Sequence, residues 1–431
     1  MGSYKLLPKQ TEFFEIPHDY DLDVCMYQGG FGSGKTWCGS LLGIMLARKY
    51  PGSRGLVGAK EYELVKNTTL VSYFEHLNEM GYVKDVDYKY NKIDKKIVFS
   101  NGSEILFKGL DDPEKFKSLN LHWAEIEEAS QVSDTSFKGL LGRLRNTYRG
   151  KNWGRFTYRL FGHTNPQASK GWIYQRFVES HKENYRLLIA PTSENTFLPD
   201  HYIESMKNEY DPEYFRINVL GEFGNYSSGL VVKNFTEDNY KEVGYNKDMP
   251  LYLTCDFNVD PMCWEIAHKD DDNVYFFDEL VVENTSTQMC VQEFIRRYPK
   301  HNSEIIICGD ASGNFRNASS EFTNYKIMQL ALEEYGYRVR FCLRHFNPPI
   351  MNRIQAFNAR VMNAKGDKHV FISKNKCKWL KYNIENLSFK EGTSIVDVPT
   401  EKEIKNNRDY KFLEHPFDAA SYLVEYFYPI K

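Results

Sequence analysis

The stretch that decides the fold is Val24-Cys25-Met26-Tyr27-Gln28-Gly29-Gly30-Phe31-Gly32-Ser33-Gly34-Lys35-Thr36. It begins with an apolar run, and its last eight residues fit GxxxxGK[ST], the spacing of a nucleotide phosphate loop. Glycines let successive backbone N–H groups curl around phosphates, while Lys35 reaches the β and γ phosphates and the Thr36 hydroxyl ligates Mg²⁺. A helical pattern follows Lys35 and stops at Pro51-Gly52, so the motif stands between a strand and a helix, as its chemistry requires. The predicted phosphate-binding residues are Gly29, Gly30, Gly32, Ser33, Gly34, Lys35 and Thr36.

Short apolar strands alternate with helical patterns outward from this loop, which is typical of a parallel α/β fold. Residues 197–226 are helical and polar, and they read as a connector. A second run of strands begins beyond them. The sequence therefore predicts an α/β fold class in two domains, with a P-loop ATPase domain at 1–196, a connector at 197–226 and a second α/β domain at 227–431.

An acidic cluster, Glu125-Ile126-Glu127-Glu128, ends a short predicted strand. ATP hydrolysis needs one carboxylate for the Mg²⁺ shell and one to orient the attacking water. We assign Glu127 to the metal and Glu128 to the water, because two adjacent acids at a strand end can point at different atoms. A solvated acidic surface is the alternative, and the sequence leaves open which of Glu125, Glu127 and Glu128 binds Mg²⁺.

Two arginines follow this cluster on a short helical pattern. Arg143 and Arg145 are candidates to stabilise phosphoryl charge, either within this chain or from a neighbouring subunit. The alternative for each is an arginine on the solvated face of a helix, and the sequence does not choose between the two residues.

Three aspartates of the second domain have similar local settings. Asp256 and Asp310 each follow an apolar strand, and Asp418 opens a helix. Strand ends and helix starts can converge, and two-metal phosphodiester hydrolysis needs several carboxylates around cations about 3.5–4 Å apart. Hard Mg²⁺ or Mn²⁺ prefers such oxygen ligands. Capping of a helix or turn is the alternative for each aspartate, and Asp260 and Glu265 are further candidate ligands.

Composition narrows the class of protein. The 431 residues are 42% hydrophobic and 26% charged, with a net charge of -3. This balance indicates a globular protein in which any DNA contact depends on local patches. The eight cysteines are scattered without metal-binding spacing, and no leader or long apolar run stands out. We therefore expect a reducing cytoplasm and no membrane span.

Taken in order, these elements resemble the large terminase subunit of tailed bacteriophages, a DNA-packaging ATPase and nuclease. Further stretches support the resemblance along nearly the whole chain: Pro8-Lys9-Gln10, Thr164-Asn165-Pro166, Asn347-Pro348-Pro349 and residues 415–420. The order and spacing of the set are far more specific than any single motif. One departure is Glu127-Glu128, where the family commonly has Asp-Glu.

The resemblance implies a RecA-like ATPase domain followed by an RNase H-like nuclease domain. It also implies that Gln10 reads adenine, and that Thr164 and Asn165 couple hydrolysis to motion. The residues implied to hold the nuclease metals are Asp256, Asp310 and Asp418. Implied cofactors are ATP and Mg²⁺, with Mn²⁺ as an alternative at the nuclease site. Implied partners are double-stranded DNA, the small terminase subunit and the portal protein of the procapsid, on which several copies form a ring in the host cytoplasm.

The leading hypothesis is that ATP hydrolysis drives viral DNA into a procapsid while the second domain cuts concatemeric DNA at initiation and termination. A rival enzyme class is an ATP-dependent helicase-nuclease of repair or restriction type, which separates strands and needs no portal. A DNA-binding assembly factor with vestigial sites is the non-enzymatic alternative. It predicts no ATP turnover, and the intact phosphate loop argues against it.

Overall fold

Two α/β units make up the described part of the chain. The computed structural model describes residues 4–166, 171–180, 182–224, 229–258, 260–315, 321–390 and 393–430. One unit comprises residues 1–203 and 216–225, and the other comprises residues 204–215 and 226–431. The predicted boundary between residues 226 and 227 falls outside the described ranges, so the three-part division of the sequence stays a prediction.

An eight-stranded sheet organises the first unit. Its strands are β1 (Val24–Gly29), β2 (Arg54–Ala59), β3 (Tyr88–Asn91), β4 (Lys96–Phe99), β5 (Glu104–Gly109), β6 (Trp123–Ile126), β7 (Arg159–Thr164) and β8 (Tyr185–Ala190). They are arranged in the order β3-β4-β5-β2-β6-β7-β1-β8. The six strands from β5 to β8 in this order run parallel, while β3, β4 and β5 pair antiparallel. The carboxyl ends of β1, β6 and β7 therefore meet at one edge of the sheet.

Helices cover this sheet. They are α1 (Pro8–Phe14), α2 (Lys35–Lys49), α3 (Tyr62–Asn67), α4 (Thr69–Glu79), α5 (Asp134–Leu141) and the short α6 (Trp172–Tyr174). The predicted strand before the phosphate loop and the predicted helix after it are thus confirmed as β1 and α2. Two helices, α7 (Tyr202–Glu209) and α8 (Pro212–Asn218), lie within the predicted connector.

The sequence of β1 explains why it lies inside the sheet. All six of its residues are buried, as expected for a parallel strand covered on both faces. Alternation sends Cys25 and Tyr27 into one apolar cluster and Val24 and Met26 into the other. The phosphate loop therefore starts from a strand that is fixed on both sides.

A six-stranded sheet organises the second unit. Its strands are β9 (Leu251–Asp256), β10 (Met262–Lys269), β11 (Val274–Val282), β12 (Glu304–Gly309), β13 (Arg338–Phe341) and β14 (Val370–Ile372), in the order β13-β12-β9-β10-β11-β14. Strand β9 pairs parallel with β12 and antiparallel with β10. The carboxyl ends of β9 and β12 are therefore neighbours.

The helices of the second unit are α9 (Thr287–Arg297), α10 (Asn324–Glu334), α11 (Ile350–Val361), α12 (Lys378–Asn386), α13 (Glu401–Asn406) and α14 (His415–Phe427). Apolar clusters lie on both faces of the sheet, and α11, α12 and α14 contribute to one of them. The Thr254 hydroxyl of β9 donates a 2.6 Å hydrogen bond to the Ala419 carbonyl, which ties α14 to the central strand. No helix in the described ranges is both long and apolar enough to span a bilayer.

Candidate active sites

The phosphate loop has a shape that only glycine permits at two positions. Gly34 has φ +79°, in the left-handed region that side chains disfavour. A Cβ atom on Gly30 would lie 2.4 Å from the Thr192 hydroxyl oxygen and 2.5 Å from the Val219 carbonyl oxygen. Gly34 therefore permits a tight turn, and Gly30 permits neighbouring atoms to approach the loop closely.

The segment after β8 and residues 218–219 brace this loop. The Phe31 N–H donates to the Asn218 carbonyl over 2.7 Å, and the Thr192 hydroxyl donates to the Phe31 carbonyl over 2.8 Å. The Asn195 amide donates to the Gly32 carbonyl over 2.6 Å. Sequence reasoning missed Thr192 and Asn195, because a loop motif carries no signal for residues that follow a neighbouring strand more than 150 positions later in the chain.

Lys35 and Thr36 face the acidic cluster. Lys35 is only 9% exposed, and burial lowers the pKa of its ammonium although Glu128 and Glu127 oppose the shift. The Thr36 hydroxyl donates to Glu127 Oε1 over 3.3 Å. The loop and the acids, 91 residues apart at this contact, are thus brought together at the carboxyl edge of the sheet, as the sequence predicted.

A histidine that the sequence analysis missed joins the acids. His163, in β7, is fully buried, with Nε2 3.0 Å from Glu125 Oε1 and Nδ1 3.3 Å from Glu127 Oε1. Burial alone would lower the pKa of this imidazole, but Glu127 and Glu125 outweigh it and raise the pKa to about 10. Burial also acts to raise the pKa of Glu127, yet His163, Thr69 and Thr36 together hold it below its usual value. The two carboxylates around His163 therefore favour the charged form of its imidazole.

Glu125 and Glu127 differ in their surroundings. Glu125 is enclosed by His163 and by the Tyr73 hydroxyl, which donates to Oε2 over 2.6 Å. Glu127 accepts from Thr36 and, over 2.6 Å, from the Thr69 hydroxyl. Contact with the Thr36 hydroxyl favours Glu127 over Glu125 as the Mg²⁺ carboxylate. Its role nevertheless stays a prediction.

Glu128 is held by the Thr164-Asn165 motif. Its backbone has φ +45°, in the left-handed region, just beyond the end of β6. The Asn165 backbone N–H donates to Oε2 over 3.3 Å, and the Asn165 amide donates to Oε1 over 3.2 Å. Thr164 accepts from the Ser130 N–H over 3.0 Å. Asn165, just after β7, therefore holds Glu128, the acid predicted to activate water, through two hydrogen bonds.

Gln10 lies against the phosphate loop. Its side chain is 4% exposed and accepts from the Leu7 N–H over 3.0 Å, and a Cβ on Gly34 would lie 2.7 Å from its Nε2. A pocket of about 540 Å³ opens beside it. Its lining includes Tyr4, Leu7, Gln10, Gly34, Trp37, Asn195 and Phe197. Aromatic and amide groups next to a phosphate loop fit a nucleotide base.

The helical placement of Arg143 and Arg145 is wrong. Helix α5 ends at Leu141, and both arginines lie beyond it. Arg143 donates to the Lys117 carbonyl, and Arg145 donates to the Asn120 side-chain oxygen over 2.9 Å. Gly142 and the pairing of Leu121 with Leu144 end the helix, because the chain turns there to run beside the start of β6.

In the second unit, β9 and β12 place two of the predicted aspartates side by side. Asp256 is the last residue of β9, Asp310 follows β12, and the Asp310 N–H donates to the Cys255 carbonyl over 3.0 Å. Asp418 lies in the first turn of α14. Burial raises the pKa of the Tyr422 hydroxyl and Arg353 opposes the rise, while the charges of all three aspartates add to it. The charges of all three aspartates therefore act on the hydroxyl of Tyr422.

Each of these carboxylates is held through one oxygen. Asp256 Oδ2 accepts from the Asn258 amide over 2.8 Å and lies 3.1 Å from His415 Nδ1. Burial lowers the pKa of His415, but Asp256 more than compensates and raises it. His415 lies in a stretch that resembles the terminase family, but the sequence pattern alone gives it no role.

The other two aspartates accept hydrogen bonds from Asn347 and Arg353, which lie close together in the chain. Asp310 Oδ1 accepts from the Ser312 N–H and from the Asn347 amide, each over 2.7 Å. Asp418 Oδ1 accepts from Arg353 Nη1 over 2.7 Å. Burial raises the pKa of Asp418 in spite of Arg353, and Asp256 adds to the rise.

Of the two further candidate ligands, Asp260 has other partners, whereas neither carboxylate oxygen of Glu265 has a hydrogen-bond partner among the described residues. Asp260 pairs with Lys411 over 2.6 Å and accepts from the Asn284 N–H. Glu265 is fully buried in β10 opposite Glu279, and burial raises the pKa of its carboxyl well above the usual value.

The chemistry of the donors decides whether a cation fits here. In the described ranges, no three His, Cys, Asp or Glu side chains are grouped so that they could enclose a metal ion. The donor set itself suits Mg²⁺ or Mn²⁺, because it consists of carboxylates. Within the described ranges, hydrogen bonds reach Oδ2 of Asp256 and Oδ1 of Asp310 and Asp418, which leaves the second oxygen of each for a cation.

Fold and sites together define a two-unit α/β protein with a phosphate-loop site in one unit and a carboxylate site in the other. Residues 23–222 match the family model described as phage terminase large subunit. The chain is 31% identical over 218 residues to the PBSX phage terminase large subunit of Bacillus subtilis (strain 168). That alignment covers 46% of this chain and 48% of the relative, so the chain matches about half the length of that relative.

Solved structures extend the likeness in fold. The large terminase from a thermophilic bacteriophage superposes with a TM-score of 0.57 at 15% identity, covering 98% of this chain and 99% of that one. The complex of the same phage protein with ATP-gamma-S gives a TM-score of 0.55 at 14% identity and the same coverage. The resemblance seen in the sequence and the two-domain α/β fold are therefore confirmed.

Proposed function

We propose that this chain is a large-terminase motor, in which ATP hydrolysis drives double-stranded viral DNA into a procapsid and a metal-dependent nuclease cuts that DNA. The observation that carries the proposal is the presence of both sites on one chain. The Thr36 to Glu127 contact joins the phosphate loop to its acids, and Asp256 and Asp310 meet at the ends of adjacent strands. The match of residues 23–222 to the family model and the 218-residue alignment with the Bacillus subtilis relative support the same function.

In the ATPase unit, the glycine loop would cradle the phosphates, with Lys35 against their charge and with Thr36 and Glu127 as the Mg²⁺ ligands. Glu128 is the group that would orient the attacking water. Asn165 donates to both of its oxygens, so movement of Glu128 displaces the end of β7. That connection is the route by which we propose that hydrolysis is coupled to motion.

In the nuclease unit, Asp256, Asp310 and Asp418 would hold one or two Mg²⁺ or Mn²⁺ ions. Bound cations of this kind supply an activated water and stabilise charge on the leaving oxygen. His415 lies 3.1 Å from Asp256 and opens α14, so it orients that carboxylate. Asp256 is buried and Asp418 is half-buried, which limits the competition of bulk water for the same oxygens.

DNA contact requires a local basic surface, because the chain as a whole carries a net charge of -3. Residues 135–178 contain no Asp or Glu. The basic side chains in the middle of this stretch are Arg143, Arg145, Arg149, Lys151 and Arg155. We propose this stretch as a contact for the phosphate backbone of DNA. We also propose that the chain binds the small terminase subunit and the portal protein. It would act as a ring of several copies in the host cytoplasm.

A packaging assay tests this function against the helicase-nuclease alternative. Purified chain, ATP and portal-bearing procapsids are incubated with linear double-stranded DNA, and DNA protected from added nuclease is measured beside strand displacement. We expect protected DNA and no displaced strand, with both readings at background for Lys35→Ala. Displaced strands without protection would favour the helicase-nuclease.

A further inference from the structure

One segment of the second unit contacts two of the three aspartates. Asn347 is exposed, precedes α11 and bonds twice to the β12 end: its amide donates to Asp310 Oδ1 over 2.7 Å, and its side-chain oxygen accepts from the Ala311 N–H over 2.8 Å. Arg353, in the first turns of α11, donates to Asp418 Oδ1 over 2.7 Å. Asp310 and Asp418 lie on different elements, so this segment, residues 347–353, is a link between them.

We propose that Asn347 and Arg353 are positioning residues of the nuclease site, which hold one oxygen of Asp310 and of Asp418 so that the other oxygen of each faces the divalent cation. The inference rests on the proposed nuclease function. It assigns these residues no contact with DNA or with the reacting atoms.

Arg353 is fixed on several sides. It is 5% exposed, its Nη1 also donates to the Ser421 hydroxyl over 2.8 Å, and its guanidinium lies 4.2 Å from the centre of the Tyr422 ring. An arginine buried in this way has little freedom to follow a moving partner, because leaving its hydrogen bonds would strand a charge away from water. Asp418 is therefore held by a rigid donor and not by a mobile surface side chain.

Asn347 fixes Asp310 by a different geometry. Its amide group bonds the carboxylate and the next backbone N–H at the same time, which sets the rotation of the Asp310 side chain relative to the end of β12. The Ser312 N–H donates to the same oxygen. All these donors reach Oδ1, so the bonding favours one orientation of the carboxylate.

This arrangement has a measurable consequence. Groups that orient metal ligands without touching the metal typically contribute about 10-fold to 100-fold in metal affinity. Loss of either donor lets its aspartate rotate, and a cation then binds a less ordered set of oxygens. The affinity for Mn²⁺ alone, in the absence of DNA and nucleotide, therefore reports on the positioning without any cleavage.

The test measures Mn²⁺ binding to the full chain by calorimetry, with Asp256→Ala defining the signal that belongs to the nuclease site. We expect Asn347→Ala and Arg353→Met each to weaken binding about 10-fold or more. Arg353→Lys, which keeps the charge and a donor, should recover part of the loss. Asn352→Ala, at an exposed position on the same helix, is the matched control and should bind as the wild type does.

Each outcome decides a different point. Wild-type affinity in Asn347→Ala, or tighter binding in Arg353→Met because a positive charge has been removed, would overturn the positioning role. If Arg353→Met fails to fold by thermal melting, the exposed Asn347 decides alone. If the wild type binds Mn²⁺ no better than Asp256→Ala, the nuclease site itself is refuted and the inference falls with it.

Discussion

The Thr36 hydroxyl donates a hydrogen bond to Glu127 over 3.3 Å, although 91 residues separate the two in the chain. This contact joins the end of the phosphate loop to the end of β6. Glu125, two residues earlier, is instead enclosed by His163 and Tyr73. The two acids therefore have different contacts, and we expect separate tasks for them, which a pair of matched variants distinguishes.

Glu127→Gln should lower the rate of ATP hydrolysis at least about 100-fold, because it removes a charged Mg²⁺ ligand from the transition state. Glu125→Gln keeps a polar group between Tyr73 and His163, and it should retain hydrolysis within about 10-fold. Steady-state phosphate release at saturating ATP measures both. Equal loss in the two variants would show that the assignment of the metal carboxylate is wrong.

Glu128→Gln should bind ATP normally and lose hydrolysis by about 100-fold to 10,000-fold, the usual contribution of a general base. Asn165→Ala, which removes the side-chain bond to Glu128 but keeps the backbone bond, should fall between that variant and the wild type. Nucleotide affinity from a fluorescent ATP analogue and the turnover rate are compared. Full activity in Glu128→Gln would remove it from the mechanism.

The pKa of His163 predicts how stability depends on pH. The folded pKa is about 10, above the usual value of 6.5. A raised pKa stabilises the fold fully below about pH 6.5, and the contribution disappears as the pH rises through 10. The difference in melting temperature between the wild type and His163→Gln should therefore shrink from pH 6.5 to pH 10. A difference that stays constant over this window would mean that His163 is neutral in the folded protein.

A substitution at Gly309 tests whether the close approach of the β12 and β9 backbones is important for stability. Its φ is +135°, and a Cβ atom would lie 2.3 Å from the Cys255 carbonyl oxygen. Gly309→Ala should cost about 2 kcal/mol or more in the free energy of unfolding, since it adds both backbone strain and a clash. Gly336→Ala, also at positive φ but with no atom within 4 Å of the added Cβ, should cost only about 1 kcal/mol. Urea unfolding compares them, and equal costs would mean that the close approach is unimportant.

The position of Gln10 beside the phosphate loop predicts that the ATPase site prefers adenine nucleotides. Its amide lies beside Gly34 in the pocket that Trp37 and Phe197 also line. Gln10→Ala should raise the KM for ATP about 10-fold and reduce discrimination against GTP, because hydrogen bonds to the base edge are lost. Rates with the two nucleotides measure the change. Unaltered discrimination would place the base elsewhere.

Local patterns explain which parts of the fold and sites could be predicted from the sequence. The phosphate loop stands between a six-residue buried strand and a helix, and each of these is specified by neighbours in the chain. The aspartates at 256 and 310 are predicted from the sequence because Asp256 ends one apolar strand and Asp310 follows another. These signals need no knowledge of which strands are neighbours.

The residues that were missed depend on sheet order and helix packing. His163 meets Glu125 because β7 pairs with β6, and Thr69 reaches Glu127 from the start of α4. Arg353 reads as one more basic residue on an amphipathic helix, and only the packing of α11 beside α14 buries it against Asp418. The sequence pattern gives the faces of elements but not their partners, so these contacts had no local signal.

The central claim is that one chain carries two separate catalytic sites, and the most direct measurement compares ATP hydrolysis and plasmid cleavage by the full-length wild type, Lys35→Ala and Asp256→Ala. All three are first shown to be folded by thermal melting, and cleavage is measured in Mg²⁺ and in Mn²⁺. We expect Lys35→Ala to lose hydrolysis and keep cleavage, and Asp256→Ala to do the reverse. Loss of both activities in one folded variant, or cleavage by Asp256→Ala at the wild-type rate, would contradict the account.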